Sequence, residues 1–91
     1  MALLKQLPNT YVMTIQQVSI SGTPDLIICC NGWFVAWELK KDDSSKPTKL
    51  QEYTLNKIQK AGGVAVVVRP SNLEAQYAQL LQLIDGVKIE V

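Results

Sequence analysis

Gly22-Thr23-Pro24-Asp25-Leu26-Ile27-Ile28-Cys29-Cys30-Asn31-Gly32-Trp33-Phe34-Val35-Ala36-Trp37-Glu38-Leu39-Lys40 is the stretch that decides how this chain folds. Asn31-Gly32 stands between two apolar runs, the strongest short-range signal for a two-residue hairpin. Folding there sets Cys30 opposite Trp33, and pairing runs outward until Asp25 lies opposite Glu38. Directly opposed residues hold their Cβ atoms roughly 4.5–5.5 Å apart, so two carboxylates stand side by side. Lys40, two residues beyond Glu38, shares their face. Like charges that close repel unless positive charge sits between them. A divalent cation fits that role, and the Lys40 ammonium adds a third charge beside it.

A Glu-x-Lys triplet alone is ordinarily a surface ion pair of little energetic weight. Three details set this one apart. The flanking strands are apolar on both faces, Asp25 follows a Gly-x-Pro turn, and the opposed register is imposed by the Asn-Gly turn itself.

The rest of the composition narrows the chemistry. Ninety-one residues with 47% hydrophobic content make one small globular domain. No apolar run reaches bilayer length, and the first eight residues are too weakly patterned for a secretory signal; the expectation is a soluble intracellular protein. Cys29 and Cys30 are adjacent, so as strand neighbours they point to opposite faces and form no framework disulfide; both read as small buried hydrophobes. There is no histidine, which removes His-based acid–base chemistry and Cys–His nucleophiles and argues against zinc catalysis. Carboxylates, lysine and a hard metal remain. The net charge is only +1, but Lys40, Lys41, Lys46, Lys49, Lys57 and Lys60 crowd one stretch. Such a run is commonly a solvated face; its place directly after the carboxylate pair makes it a candidate phosphate-facing patch.

Outward from the hairpin, Ala2 to Leu7 reads as a short helix stopped before Pro8, and Tyr11 to Ile20 as a strand bent near Gln16-Gln17. Lys41 to Lys46 is a polar loop. Pro47-Thr48 opens a helix to Ala61, with a Thr48-x-x-Gln51 capping box, a stripe of Leu50, Thr54, Ile58 and Ala61, and a Gly62-Gly63 stop. Val64 to Val68 is a buried strand by pattern. Ser71-x-x-Glu74 opens a second helix with a Leu73, Tyr77, Leu80, Leu81, Ile84 stripe, closed by Gly86, and Val87 to Val91 reads as a terminal strand. The strand–helix–strand unit from Trp33 to Val68 predicts a parallel pair. The fold class is α/β, a mixed sheet flanked by helices, in the order α-β-β-β-α-β-α, with the hairpin strands central and covered on both sides.

Two carboxylates with the Leu39 carbonyl between them make an oxygen-rich site suited to Mg²⁺, which keeps several waters. A metal that lowers the pKa of bound water makes it a better nucleophile, and Lys40 can orient that water or offset charge growing on a phosphate oxygen. The natural substrate is a phosphodiester.

Gly22-Thr23-Pro24-Asp25, Glu38-Leu39-Lys40, Gln51 and the Ala61-Gly62-Gly63 segment resemble the PD-(D/E)XK nuclease superfamily. Within it the chain looks most like the stand-alone VRR-NUC domains of phages and bacteria, akin to archaeal-type Holliday junction resolvases. The resemblance runs from Thr14 to Pro70. It implies a restriction-endonuclease-like core and phosphodiester cleavage dependent on Mg²⁺ or Mn²⁺. Asp25 and Glu38 match the family's metal ligands, with the Leu39 carbonyl as a third. Lys40 matches its catalytic lysine, and Gln51 its helix-borne polar residue. One departure stands out: many relatives carry a Glu in a longer first helix, and here no acidic residue precedes Asp25, leaving Gln16 or Gln17 to replace that contact through water.

The leading expectation is therefore a metal-dependent DNA endonuclease, selective for four-way junctions and working as a homodimer in a bacterial or phage-infected cytoplasm. Lys41, Lys46, Lys49 and Arg69 are its expected DNA contacts, and Trp33 and Trp37 or the N-terminal segment its expected dimer face. The alternative is a weak or inactive nuclease-fold module that binds DNA or a protein. A linear-duplex or flap nuclease with the same residues is a third possibility.

Overall fold

The computed structural model describes residues 2–15 and 22–86. A helical turn, α1 (Ala2–Lys5), leads into strand β1 (Thr10–Thr14), the hairpin strands β2 (Leu26–Cys30) and β3 (Trp33–Leu39), helix α2 (Lys49–Lys60), strand β4 (Val64–Val68) and helix α3 (Leu73–Ile84). The four strands form one sheet in the order β1-β2-β3-β4. β1 and β2 are antiparallel, β2 and β3 antiparallel, β3 and β4 parallel. The expected element order and the parallel pair are both present. Among the described residues no helix is long and apolar enough to cross a membrane.

The hairpin turn sets the register. Asn31 and Gly32 have φ of +50° and +88°, the two left-handed residues of a type I′ turn. Cys30 pairs with Trp33 and Leu26 with Trp37, so the next rung places Asp25 against Glu38, as the turn dictated. Asn31 also fastens the turn to the helical layer, donating from Nδ2 to the Leu83 carbonyl at 2.9 Å.

Alternation then sorts the side chains. Leu26, Ile28, Cys30, Val35 and Trp37 face one side, where Leu4 of α1 and Leu80 and Leu83 of α3 close a core around them. Burying each such aliphatic or aromatic side chain stabilises by roughly 1.5–3 kcal/mol, and Trp37 is buried almost completely. On the other side Ala36, Ala65, Ile27 and Val67 meet Leu55 and Ile58 of α2.

Several boundaries differ from the sequence reading. α1 stops at Lys5, because four residues form hardly more than one turn and helices that short lack the cooperativity to propagate. β1 spans Thr10–Thr14; the expected run on to Ile20, with its Gln16-Gln17 bend, lies outside the described residues, as does the Val87–Val91 strand. The α2 stripe is Gln51, Leu55 and Ile58; Leu50 is 55% exposed. In α3 the buried positions are Leu80 and Leu83, with Leu73 and Leu81 exposed. Both helices are apolar enough on adjacent arcs that a rotation of one position leaves the pattern plausible, and packing chose between them. Asn72, not Ser71, precedes α3; its side chain ties Arg69 N–H and the Val67 carbonyl instead of capping the helix.

Cover on the α2 side is also incomplete. The helix packs on β3 and β4, and Tyr11, Met13, Cys29 and Phe34 remain exposed on β1–β3. Cys29 is thus a surface thiol while Cys30 is buried, and both are free.

Candidate active site

The site is assembled where β2 begins, β3 ends and α2 starts. Asp25 sits one residue before β2; its backbone carbonyl accepts from Ile15 N–H at 2.8 Å, which closes the β1 side. Its carboxylate reaches across the hairpin to accept from Leu39 N–H at 2.7 Å. That bond fixes the Leu39 peptide as well as the acid. Lys40 N–H donates to Val68 on β4, and in an extended strand a residue's N–H and C=O leave on one side while the next residue's leave on the other. Leu39 therefore turns its carbonyl toward the Asp25 side.

Glu38 is the only described residue with a charged side chain in the core, 3% exposed. Its Oε2 accepts from Gln51 Nε2 at 3.0 Å and lies 3.8 Å from Lys40 Nζ. Its Oε1 is buried and has no hydrogen-bond partner. Burial first, and then the neighbouring Asp25 charge, raise the Glu38 pKa from 4.5 to about 7, with Lys40 only partly offsetting them.

Gln51 joins the pieces. As the third residue of α2 it completes the capping box: Gln51 N–H donates to Thr48 Oγ1, and Gln51 Oε1 accepts from Thr48 N–H at 2.8 Å. The same Oε1 accepts from Lys40 Nζ at 3.0 Å. The structural and the site reading of Gln51 hold together in one side chain.

Gly22 explains the Gly-x-Pro turn. Its φ is +85°, and a Cβ there would lie 2.8 Å from the Leu50 carbonyl oxygen. Only glycine lets the segment entering β2 pass this close to the first turn of α2.

Of the expected DNA contacts, Arg69 donates from its guanidinium to the backbone carbonyls of Asp42, at 3.3 Å, and of Ser45. One guanidinium nitrogen, Nη1, makes both bonds and ties Arg69 to the β3–α2 loop. Ser71 N–H adds a bond to Asp43 Oδ1 at 3.1 Å. Inside the loop Asp42 Oδ1 accepts from the backbone and hydroxyls of Ser44 and Ser45, bonds led by that to the Ser45 hydroxyl, which hold its carboxyl below the usual range. The Asp42-x-Ser44-Ser45 spacing is a legible Asx-type turn signal that the sequence reading passed over as polar loop. Lys41, Lys46 and Lys49 are exposed around this loop. Trp37 is buried, so it supplies none of the dimer face expected of it, while Trp33 is half-buried against the core.

The residues present suit a hard cation. Among the described residues no three His, Cys, Asp or Glu side chains are grouped as metal ligands. The chain's own donors are two carboxylates and a backbone carbonyl, an all-oxygen set that leaves positions to water. A buried Glu38 oxygen without a partner is the atom a cation would satisfy.

A four-stranded mixed sheet between helical layers, with paired carboxylates and a lysine at its open end, is the architecture of restriction-endonuclease-like nucleases. No family model and no curated protein matches the sequence. A solved structure described as a "VRR_NUC domain protein" matches with a TM-score of 0.72 and 27% identity, over 88% of this chain and 76% of that one. The resemblance to VRR-NUC domains read from the sequence is thus matched by a likeness of fold to a solved protein of that description.

Proposed function

We propose that the chain is a divalent-metal-dependent endodeoxyribonuclease. The observation that carries this reading is Glu38: a buried carboxylate, with one oxygen unpartnered, beside Asp25 and under Lys40. Folding tolerates so costly a group when a function needs it. Asp25, Glu38 and the Leu39 carbonyl are the proposed ligands of Mg²⁺ or Mn²⁺. When bound, such a cation supplies Lewis-acid polarisation of the phosphate and a more nucleophilic water. Hydrolysis would add water across one P–O ester bond, phosphorus keeping the water's oxygen and the departing alcohol oxygen gaining a proton.

The chain's residues set the stage for that step. Gln51 holds Glu38 and Lys40 at fixed separation through its two amide atoms. Lys40 presents an ammonium to the negative charge that grows on the phosphate oxygens. Lys41, Lys46 and Lys49 receive flanking phosphates. Four-way junctions are the proposed substrate and a two-fold homodimer the proposed assembly, since two symmetric incisions need two symmetric sites.

A panel of labelled junction, flap, nick and blunt duplex, incubated with Mg²⁺ or Mn²⁺, tests this. Cleavage lost in Asp25→Ala and Lys40→Ala supports the enzyme, and sedimentation equilibrium reads the assembly. Tight binding without cleavage in either metal leaves a DNA-binding module, the reading that the lack of an acidic residue before Asp25 favours.

A further inference from the structure

We propose that β1 is the edge through which two copies of the chain pair, strand against strand about Val12, into one continuous sheet. The pairing rests on the nuclease reading only for its purpose, which is to set two sites on one DNA.

The two edges of the sheet differ. Along a strand, the N–H and C=O of one residue leave on the side opposite to those of the next. Val68 bonds toward β3, so Ala65 and Val67 face outward from β4. Their carbonyls are already taken, accepting from Gln59 Nε2 at 2.6 Å and from Asn72 Nδ2 at 2.9 Å. On β1, Ile15 N–H reaches the Asp25 carbonyl and Asn31 N–H reaches that of Asn9. Tyr11 and Met13 therefore bond toward β2, while Thr10, Val12 and Thr14 turn their N–H and C=O groups outward. No described residue bonds to those outward groups. Edge strands are ordinarily guarded by a charge, a proline or a bulge. Thr10-Tyr11-Val12-Met13-Thr14 has no charge and no proline, and its ladder with β2 is unbroken.

The strand is also complementary to itself. Antiparallel pairing about Val12 sets Val12 opposite Val12 of the second copy, Thr10 opposite its Thr14 and Tyr11 opposite its Met13. This is the register in which every outward N–H and C=O of β1 meets a partner. Tyr11 and Met13, 66% and 46% exposed, then face each other at the closely spaced, non-hydrogen-bonded positions of the new ladder. A thioether against an aromatic ring is a favourable contact, as is threonine across from threonine.

The symmetry serves the site. The two-fold axis of such a pair stands perpendicular to the sheet, so both copies show the same face to the same side. Tyr11 and Met13 lie opposite Cys29 and Ile27, on the face that ends in Asp25. Both acid pairs thus open on one side of the joined sheet, where a single branched DNA meets the two of them. A partner of unrelated sequence would satisfy the backbone but not match Tyr11 with Met13 in both directions.

Sedimentation equilibrium in EDTA, without DNA, tests the pairing. The wild type is expected to show a monomer–dimer equilibrium. Thr14→Pro removes an outward N–H and leaves the ladder to β2 intact; it should weaken association on the order of a hundredfold. Tyr11→Lys with Met13→Lys opposes ammonium groups at both ends of the pair and should weaken it about tenfold, whereas Tyr11→Lys with Met13→Glu should restore it. A wild type still monomeric at about 1 mM overturns the pairing. So does a dimer indifferent to Thr14→Pro and to the charge combinations in variants with native circular dichroism. If Thr14→Pro does not fold, the two charge combinations, both at exposed positions, decide. Hydrogen-exchange protection of the Val12 and Thr14 amides that persists in the monomer overturns it too, giving the edge to another segment of the same chain. Cleavage of linear duplex in Mg²⁺ reads the nuclease assignment separately, so either idea can fall alone.

Discussion

Gln51 Nε2 donates to Glu38 Oε2 at 3.0 Å while Gln51 Oε1 accepts from Lys40 Nζ at the same distance. One amide thus reads the carboxylate as an acceptor and the lysine as a donor, and its orientation is set by both. Gln51→Ala removes this bridge and one half of the capping box, at about 1 kcal/mol of stability for the cap. Gln51→Glu keeps an acceptor for Thr48 N–H and Lys40 but turns an oxygen toward Glu38. The expected outcome is near-normal helix stability with a large loss of cleavage in Gln51→Glu. Thermal melts beside a cleavage assay check it, and equal losses in both variants would assign Gln51 to the cap alone.

Glu38 makes the metal-free protein sensitive to alkali. Its folded pKa of about 7 lies above the ordinary 4.5, so the folded state holds the proton more tightly than the unfolded state. That contribution is complete below about pH 4.5 and is lost as pH rises through about 7. In EDTA the expected loss between pH 5 and 8 is on the order of 2–3 kcal/mol, or roughly 10 °C in Tm. Glu38→Gln should flatten this profile.

The same substitution is nearly isosteric, so Glu38→Gln is expected to fold and to abolish cleavage. Titration calorimetry should lose Mg²⁺ uptake with it. An unfolded variant would instead make Glu38 a structural residue.

Arg69 is expected to act through the loop rather than on DNA. Arg69→Ala leaves the Asp42 and Ser45 carbonyls without their donor and should cost about 1–3 kcal/mol. Arg69→Lys keeps the charge but not the guanidinium geometry and should rescue little. The salt dependence of duplex binding should stay unchanged in folded Arg69→Gln, whereas a lost phosphate contact lowers that slope by about 0.9. Lys46→Gln and Lys49→Gln are the controls that should lower it.

Gly22→Ala combines a left-handed backbone with a 2.8 Å approach to the Leu50 carbonyl. The conformational term alone is about 1–2 kcal/mol, and the overlap adds to it. A Tm lowered by roughly 10 °C is expected, together with reduced cleavage because α2 is pushed from Asp25. A melt unchanged within a degree would count against this packing.

How much of this was legible depends on the range of the interaction involved. Asn31-Gly32 speaks for a local turn, and a two-residue turn leaves one register, so the Asp25–Glu38 rung followed from sequence. The capping box at Thr48 and Gln51 is equally local. In α2 and α3 Ile58, Leu80 and Ile84 pack inward as their stripes predict, but Leu55 and Leu83 are buried in place of Leu50 and Leu81, because these leucines are equally apolar and only the opposing layer distinguishes them. Arg69 looked like a phosphate ligand because its partners are carbonyls that lie 27 and 24 positions away in the chain, and carbonyls have no sequence signature.

The order of residues alone decided the turn, the pairing of the hairpin and the clustering of two acids with a lysine, since each follows from backbone periodicity over a few positions. Tertiary packing decided that Glu38 is buried with an unpartnered oxygen, that Arg69 belongs to the loop, and that Phe34 and Tyr11 stay uncovered. Desolvation and cover are properties of what approaches from elsewhere in the chain, and no local pattern encodes them.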